Sequence, residues 1–217
     1  MTMTEKIIKD LRLSNERFLH TLGVADCVKR LAERHFPLLS TEKLEVAALL
    51  HDFTKEYSTD KQLVLCKKYN IVMTDEEAKT PKLYHAKTAA AIAKDTYGVD
   101  DYTASAIYYH TTGRANMTDA ELCLYFADYI EDYRTDKACI KVREYYQKLL
   151  AKERDHLVAL KKGVLYSYDS TIMHLIKKGE NINPTTIEAR NQLVDEIKQN
   201  GERKTKNDRQ RTGKKSK

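Results

Sequence analysis

Four histidines and two aspartates occupy positions that favour chemistry over simple packing. The adjacent pair His51 and Asp52 ends the apolar run VAALL, and Asp128 is the one carboxylate within LCLYFADYI. An unpartnered buried carboxylate costs several kcal/mol, so each should meet a cationic side chain or a metal ion. Three further histidines have similar sequence neighbours and complete the candidate set. They are His20, His85 and His110.

The residue types alone allow two interpretations. Asp128 could simply form an ion pair with an arginine such as Arg134. Alternatively, two imidazoles and two carboxylates from separate buried helices could bind one ion, and this mixed nitrogen and oxygen set suits iron, manganese or cobalt.

Basic residues accompany two of the histidines at helical spacing. Arg17 precedes His20 by three positions and Lys55 follows His51 by four, so each shares a helix face with its histidine. Cations beside a metal site favour a phosphate group bound next to the ion. The pattern therefore indicates chemistry on a phosphate ester or anhydride.

The elements that must position these residues are predicted to be helices. Apolar residues recur at spacings of three and four, and only 7 glycines and 3 prolines interrupt 217 residues. We expect helices over 14–35 and 136–160, a helix stop at Gly98, and a capping box of Thr118 with Glu121. The sequence predicts an all-α protein.

The net charge of +6 is concentrated at one end of the chain. Residues 198–217 contain nine basic and two acidic side chains, so the remainder is close to neutral. We expect one domain over 1–197 and a basic, disordered tail over 198–217 that contacts polyanions weakly at most.

The composition also limits the location of the protein. No apolar run approaches the length of a membrane span, and the first ten residues lack a secretion signal. The four cysteines lie far apart without a CxxC pair, which predicts buried thiols. We therefore expect a cytoplasmic protein without a membrane partner.

Six ordered segments resemble one known family. The ordered set of His20, His51-Asp52 and Asp128 matches the H…HD…D signature of the HD-domain metal-dependent phosphohydrolases. The surrounding sequence is similar to the YqeK-type members, which are bacterial symmetrical diadenosine tetraphosphate (Ap4A) hydrolases, over about residues 3–195. The segments are RFLHTLGV, AALLHDFTK, LYHAKTAAAIA, YHTTG, MTDAELCLYFADYIEDYR and NPTTIEARN.

The resemblance implies an HD-domain helical bundle that binds iron and cleaves Ap4A into two ADP. By motif position, the metal ligands would be His20, His51, Asp52 and Asp128, and the catalytic groups would be Lys55, His85 and His110. Asp132 stands where the family usually has proline, while Arg134 keeps its spacing from Asp128. The residues implied around the nucleotide are Arg17, His20, Lys55, His85, His110, Thr111, Thr112, Arg134, Asn181, Ile182, Asn183, Pro184, Thr185 and Thr186.

Several alternatives stay open at this point. His85 and His110 either bind a second ion or act directly on the leaving phosphate, and the HTTG segment taken alone could simply be a cap and turn. Another nucleotide, such as a dNTP, a nucleoside monophosphate or a cyclic dinucleotide, is the alternative substrate. A non-catalytic nucleotide-binding or RNA-associated protein is the alternative class. Fourteen tyrosines would also suit a homodimer surface.

Overall fold

A computed structural model describes the backbone of residues 1–213 and the side chains of residues 1–200. Within these residues the chain forms eleven α-helices and one short 3-10 helix, without a strand, so the predicted all-α class is confirmed. The helices are α1 (Met3–Asp10), α2 (Asn15–His35), α3 (Thr41–Leu50), α4 (Thr59–Lys68), α5 (Asp75–Ala78), the 3-10 helix Pro81–Leu83, α6 (Tyr84–Tyr97), α7 (Asp101–Tyr109), α8 (Asp119–Ile130), α9 (Lys137–Lys152), α10 (His156–Lys178) and α11 (Pro184–Gly213).

The helix boundaries that the sequence predicts at three places are confirmed. Ser14 caps α2 by accepting a hydrogen bond from the Arg17 backbone. Thr118 and Glu121 form the expected capping box of α8. Gly98 ends α6 at φ 64°, a left-handed conformation that glycine adopts without steric cost.

One helix prediction is wrong. The single helix expected over 136–160 is two helices, because α9 ends before Glu153. Asp155 then accepts hydrogen bonds from the backbone N–H groups of Leu157 (3.0 Å) and Val158 (3.4 Å), which starts α10 in a new direction.

Helix α8 lies at the centre of the bundle, in contact with α2, α3, α7, α9 and α10. Leu124 and Phe126 are fully buried, and Tyr125 stacks on Tyr168 with ring centroids 4.6 Å apart. Truncating a buried phenylalanine to alanine costs about 3–5 kcal/mol, so Phe126 is a major contributor to stability. The apolar surroundings of α8 fix the direction of Asp128 near its end.

The chain beyond the domain is described only in part. Helix α11 is the last element, while residues 214–217 and the side chains beyond residue 200 lie outside the described residues. The boundary at residue 197 and the disordered tail over 198–217 therefore stay predictions. Among the helices of the described part, none combines the length and apolar character needed to cross a bilayer.

Candidate active site

The six candidate histidines and aspartates converge from five helices. His20 lies within α2 and Asp128 near the end of α8. The other members lie at helix ends: His51 and Asp52 follow α3, His85 lies in the first turn of α6, and His110 follows α7. Every member is buried except Asp128, whose side chain is 19% exposed.

Four of these side chains form one end of the cluster. Nε2 of His20 lies 2.9 Å from Oδ1 of Asp128 and 3.8 Å from Oδ2 of Asp52. Nε2 of His51 lies 3.4 Å from the same oxygen of Asp52 and 3.7 Å from Oδ1 of Asp128. These are the four residues that the H…HD…D signature predicts as metal ligands.

The second oxygen of Asp52 faces the other end of the cluster. Oδ1 lies 3.1 Å from Nε2 of His85 and 3.6 Å from Nε2 of His110. The two Nε2 atoms are themselves 3.1 Å apart. Asp52 therefore stands between two ligand sets, one carboxylate oxygen towards each.

All four imidazoles direct Nε2 towards the cluster, because Nδ1 of each ring forms a hydrogen bond with an oxygen outside it. A carbonyl or carboxylate oxygen only accepts hydrogen bonds, so Nδ1 carries the proton and, in a neutral ring, Nε2 carries a lone pair. Such a fixed tautomer is typical of metal-binding histidines. The acceptors are the carbonyl oxygens of Ala48 (2.6 Å), Lys82 (2.8 Å) and Ile107 (2.7 Å) for His51, His85 and His110, and Oε1 of Glu131 (3.0 Å) for His20.

The cluster fits a divalent cation. Nε2 of His51 is buried without a hydrogen-bond partner and lies 3.4 Å from Oδ2 of Asp52 and 3.7 Å from Oδ1 of Asp128. Burial lowers the pKa of His85 to about 4 and also lowers that of His110, so both rings are neutral near pH 7 and offer lone pairs. Within the described residues, three overlapping sets of these groups have the spacing of ligand atoms around an ion.

Three basic side chains surround the cluster at its open side. Nη1 of Arg17 lies 2.8 Å from Oδ2 of Asp52, and Nη2 of Arg134 lies 2.7 Å from Oδ1 of Asp128. Nζ of Lys55 lies 3.2 Å from Nε2 of His85. All three are partly exposed and so remain accessible to an anionic ligand.

Both aspartates are ionised in this environment. Burial opposes ionisation, but the charge of Arg134 and the hydrogen bond of His20 hold the pKa of Asp128 well below its usual range. Burial likewise opposes the ionisation of Asp52, while its contacts with the imidazoles of His51, His110 and His85 hold its pKa well below normal. The predicted ion pair of Asp128 with an arginine is thus present, because Arg134 contacts the same carboxylate that faces the histidines.

The two loops implied in nucleotide binding contact each other. Oγ1 of Thr186 donates to the carbonyl oxygen of Thr112 at 3.2 Å, and Asn183 caps the start of α11 through a 2.9 Å bond from the Thr185 backbone. Thr111 is half-buried directly after His110. No described hydrogen bond joins residues 181–186 to the histidines and aspartates, so their role at the site stays a prediction.

Sequence reasoning missed Glu131, which is fully buried. Its Oε1 accepts from His20, and its Oε2 accepts from the backbone N–H of Tyr133 at 2.6 Å. Burial lowers the pKa of His20, but hydrogen bonds to Asp128 and Glu131 outweigh this and raise it. An acidic residue following an apolar helix was the available signal, but its neighbour Asp132 shares that signal and is exposed.

The all-helical bundle and its histidine–aspartate cluster define a metal-binding hydrolase scaffold. The family model described as "HD domain" matches residues 17–132, a range that contains all six clustered residues. The chain therefore belongs to the HD-domain family.

Similarity to individual proteins indicates a narrower group within that family. The chain is 33% identical over 186 residues (84% of the chain, 92% of the relative) to a Bacillus subtilis (strain 168) protein named bis(5'-nucleosyl)-tetraphosphatase, symmetrical. It is 32% identical to a Staphylococcus aureus protein of the same name, over 83% of the chain and 88% of the relative.

A solved structure shares the fold. It is a predicted HD superfamily hydrolase involved in NAD metabolism from Clostridium acetobutylicum, with a TM-score of 0.77 and 35% identity, covering 88% of this chain and 97% of that one. The chain belongs to the HD-domain group that contains these symmetrical tetraphosphatases.

Proposed function

We propose that this protein is a metal-dependent hydrolase that cleaves Ap4A symmetrically into two ADP. The observation that carries the proposal is the convergence of four Nε2 atoms and two carboxylates beside Arg17, Lys55 and Arg134. The names of the similar Bacillus and Staphylococcus proteins supply the substrate.

His20, His51, Asp52 and Asp128 would hold the divalent ion, for which iron is our proposal and manganese or cobalt the alternatives. When bound, the ion supplies Lewis acidity, which neutralises phosphoryl charge and lowers the pKa of water. Donor chemistry supports this choice, because the set contains nitrogen and oxygen but no sulfur.

The basic side chains bind and orient the phosphate chain. Arg17 and Arg134 flank the end of the cluster nearest His20, and Lys55 flanks the end nearest His85. Each donates charge-assisted hydrogen bonds to phosphoryl oxygens, which stabilises the charge that develops as the anhydride breaks. Binding from both ends holds the central anhydride over the cluster.

His85 and His110 are proposed as ligands of a second ion. Their Nδ1 protons are donated to backbone carbonyls, and their lowered pKa values make both rings neutral at pH 7. Two lone pairs facing each other at 3.1 Å repel unless a cation lies nearby. A neutral ring is also a poor proton donor, so this evidence disfavours a role as general acid.

One nucleoside half is proposed to bind between the two loops. The HTTG residues Thr111 and Thr112 offer hydroxyl and backbone groups, and residues 181–186 lie beside them through the Thr186 bond. The approach of residues 181–186 to the chain segment before His85 is supported by the ion pair of Lys82 with Glu180. This arrangement would enclose the nucleoside at the His85 end of the cluster.

Product analysis tests the proposed function. Protein purified without chelator is incubated with Ap4A, ATP and dAMP, and the products are separated by anion-exchange chromatography. We expect ADP as the sole product from Ap4A and no turnover of ATP or dAMP. Formation of ATP plus AMP, or turnover of dAMP in place of Ap4A, contradicts the assignment.

Three further proposals concern the surroundings of the enzyme. A cytoplasmic location is supported by four free, buried cysteines. A homodimer and weak polyanion binding through 198–217 stay predictions. Deleting 198–217 should leave turnover intact and abolish any salt-sensitive binding to RNA, whereas unchanged RNA binding contradicts the role of the tail.

A further inference from the structure

A cavity opens at the His20 end of the cluster, and its lining includes no residue of the HTTG or 181–186 loops. It has a volume of about 270 Å³ and lies between the start of α2 and the loop after α8. Arg17, His20 and Arg134 line its inner wall, and Leu19 and Tyr133 line its flank. Residues 181–183 instead line hollows with Lys79 and Thr80, next to the segment that precedes His85.

A symmetrical substrate has a second nucleoside half, for which a second binding site is expected. Cleavage at the central anhydride gives two identical nucleoside diphosphates, so equal halves extend from the scissile bond in two directions. In the proposed function, the HTTG and 181–186 loops bind one of these halves. We propose that this cavity binds the second nucleoside diphosphate half, an inference that rests on the proposed function for the pairing of the two halves.

The side chains of the cavity match the parts of a nucleoside diphosphate. Tyr133 is 56% exposed and Leu19 is 46% exposed, a pairing of aromatic and aliphatic surface that a purine base can cover. Arg17 and Arg134 line the same cavity and contact Asp52 and Asp128, so phosphates of the same half would lie beside them. Glu16 and Asp136 are exposed at the rim and can accept hydrogen bonds from ribose hydroxyls.

The loop that carries Tyr133 is held in place before any ligand binds. The Tyr133 backbone N–H donates to Glu131 at 2.6 Å. Arg143 donates from behind to the carbonyl oxygens of Ile130 (2.7 Å) and Arg134 (3.1 Å). A ring presented on a fixed loop loses little conformational entropy on stacking, which favours binding.

The ring of Tyr133 packs against α2 at Gly23, where no side chain stands in the way. A Cβ at position 23 would lie 2.7 Å from Cδ2 of Tyr133, closer than carbon atoms approach. The ring therefore packs directly on the α2 backbone, beside the buried Glu131 carboxylate.

ADP binding to the metal-loaded full-length protein tests the proposal without depending on turnover. By equilibrium dialysis we expect two ADP per chain in the wild type. Tyr133→Ala should weaken one of the two sites roughly 5- to 150-fold, the range of base–aromatic stacking, while Tyr133→Phe keeps both. One ADP per chain in the wild type, or two unchanged sites in Tyr133→Ala, overturns the proposal.

Kinetics separate this inference from the proposed function. Adenosine 5'-tetraphosphate lacks the second nucleoside, so Tyr133→Ala should lower kcat/KM for Ap4A much more than for this analogue. Equal losses for both substrates overturn the second subsite. If the wild type cleaves neither substrate, the proposed function fails, and the ADP stoichiometry still decides the subsite. Tyr145→Ala is the matched control, since Tyr145 is 38% exposed and packs on Tyr166 instead.

Discussion

Nδ1 of His20 lies 3.0 Å from Oε1 of Glu131, a carboxylate that is fully buried beneath the histidine–aspartate cluster. The pair fixes the tautomer of His20, because the carboxylate accepts a hydrogen bond from Nδ1–H and so keeps the proton on Nδ1, which leaves Nε2 to face the ligand side. Glu131 is therefore a positioning residue for one of the proposed metal ligands.

Replacing this carboxylate should weaken metal binding. Glu131→Gln removes the charge and replaces one of the two acceptor oxygens with an amide N–H donor, so either His20 or Tyr133 loses its hydrogen-bond acceptor. We therefore expect about 10- to 100-fold lower metal affinity, as for other partners of metal-binding histidines. Calorimetric titration with Mn²⁺ measures the Kd. Asp132→Asn is the matched control, because Asp132 is exposed and pairs with Arg30 at 2.7 Å. Equal Kd values for wild type and Glu131→Gln contradict the role.

Gly23 provides the space that Glu131 and Tyr133 occupy. In Gly23→Ala the new methyl group would overlap Oε2 of Glu131 and lie 2.7 Å from Tyr133. We expect a loss of about 1–3 kcal/mol in the free energy of unfolding, together with weaker metal binding.

Gly163→Ala serves as the comparison for that variant. Its methyl group would lie 2.7 Å from Phe126 in the core, so it should destabilise by a similar amount without changing metal affinity. Denaturant titration and Mn²⁺ calorimetry measure the two properties. Similar metal affinities in both variants would mean that Gly23 acts on stability alone.

The second ion predicts a specific change in stoichiometry. His85→Ala removes one ligand beside Oδ1 of Asp52 and leaves the His20 end intact. Plasma mass spectrometry of dialysed protein should give two metal ions per chain for the wild type and one for the variant. The same number in both proteins would assign His85 to direct contact with phosphate.

The stability of the fold should fall in mild acid through His35. Nε2 of His35 lies in hydrogen-bond contact with the Tyr146 hydroxyl at 2.5 Å, and burial, reinforced by Arg34 and His156, lowers the pKa of His35 from 6.5 to about 4. Between these values the unfolded chain binds a proton that the folded chain does not. The free energy of unfolding should therefore drop as the pH falls from 6.5 to about 4.

His35→Gln isolates this contribution from other titrating groups. Glutamine keeps an acceptor for Tyr146 but does not titrate, so the difference between the two proteins should change by about 1–2 kcal/mol across that range, after allowing for solvent screening of a half-buried ring. Urea titration at pH 7 and pH 4 measures it. A constant difference between the two proteins would show that His35 makes no contribution.

Much of the site could be predicted from residue types alone. Asp128 was identifiable because a carboxylate within an apolar helix needs a partner, and the structure places it against Arg134 and against His20, another of the predicted metal ligands. His51 and Asp52 were identifiable because they end an apolar run. Adjacent residues diverge by about 100° on a helix, and they converge here because α3 ends at Leu50.

Other features depended on tertiary structure and could not be predicted from the sequence. The role of Glu131 arises from the approach of α2 to the end of α8, which no local pattern encodes. The break between α9 and α10 was missed because residues 151–156 contain neither proline nor glycine, while the cap at Asp155 decides the boundary. Spacing also cannot show that the two oxygens of Asp52 face different ligand sets.

Metal content and turnover in Asp128→Ala test the central claim most directly. If His20, His51, Asp52 and Asp128 hold the ion on which hydrolysis depends, the variant should lose the metal at the His20 end and its Ap4A hydrolysis, with an unchanged helical circular dichroism spectrum. Asp132→Ala should retain both. Full metal content and full turnover in Asp128→Ala would contradict the account.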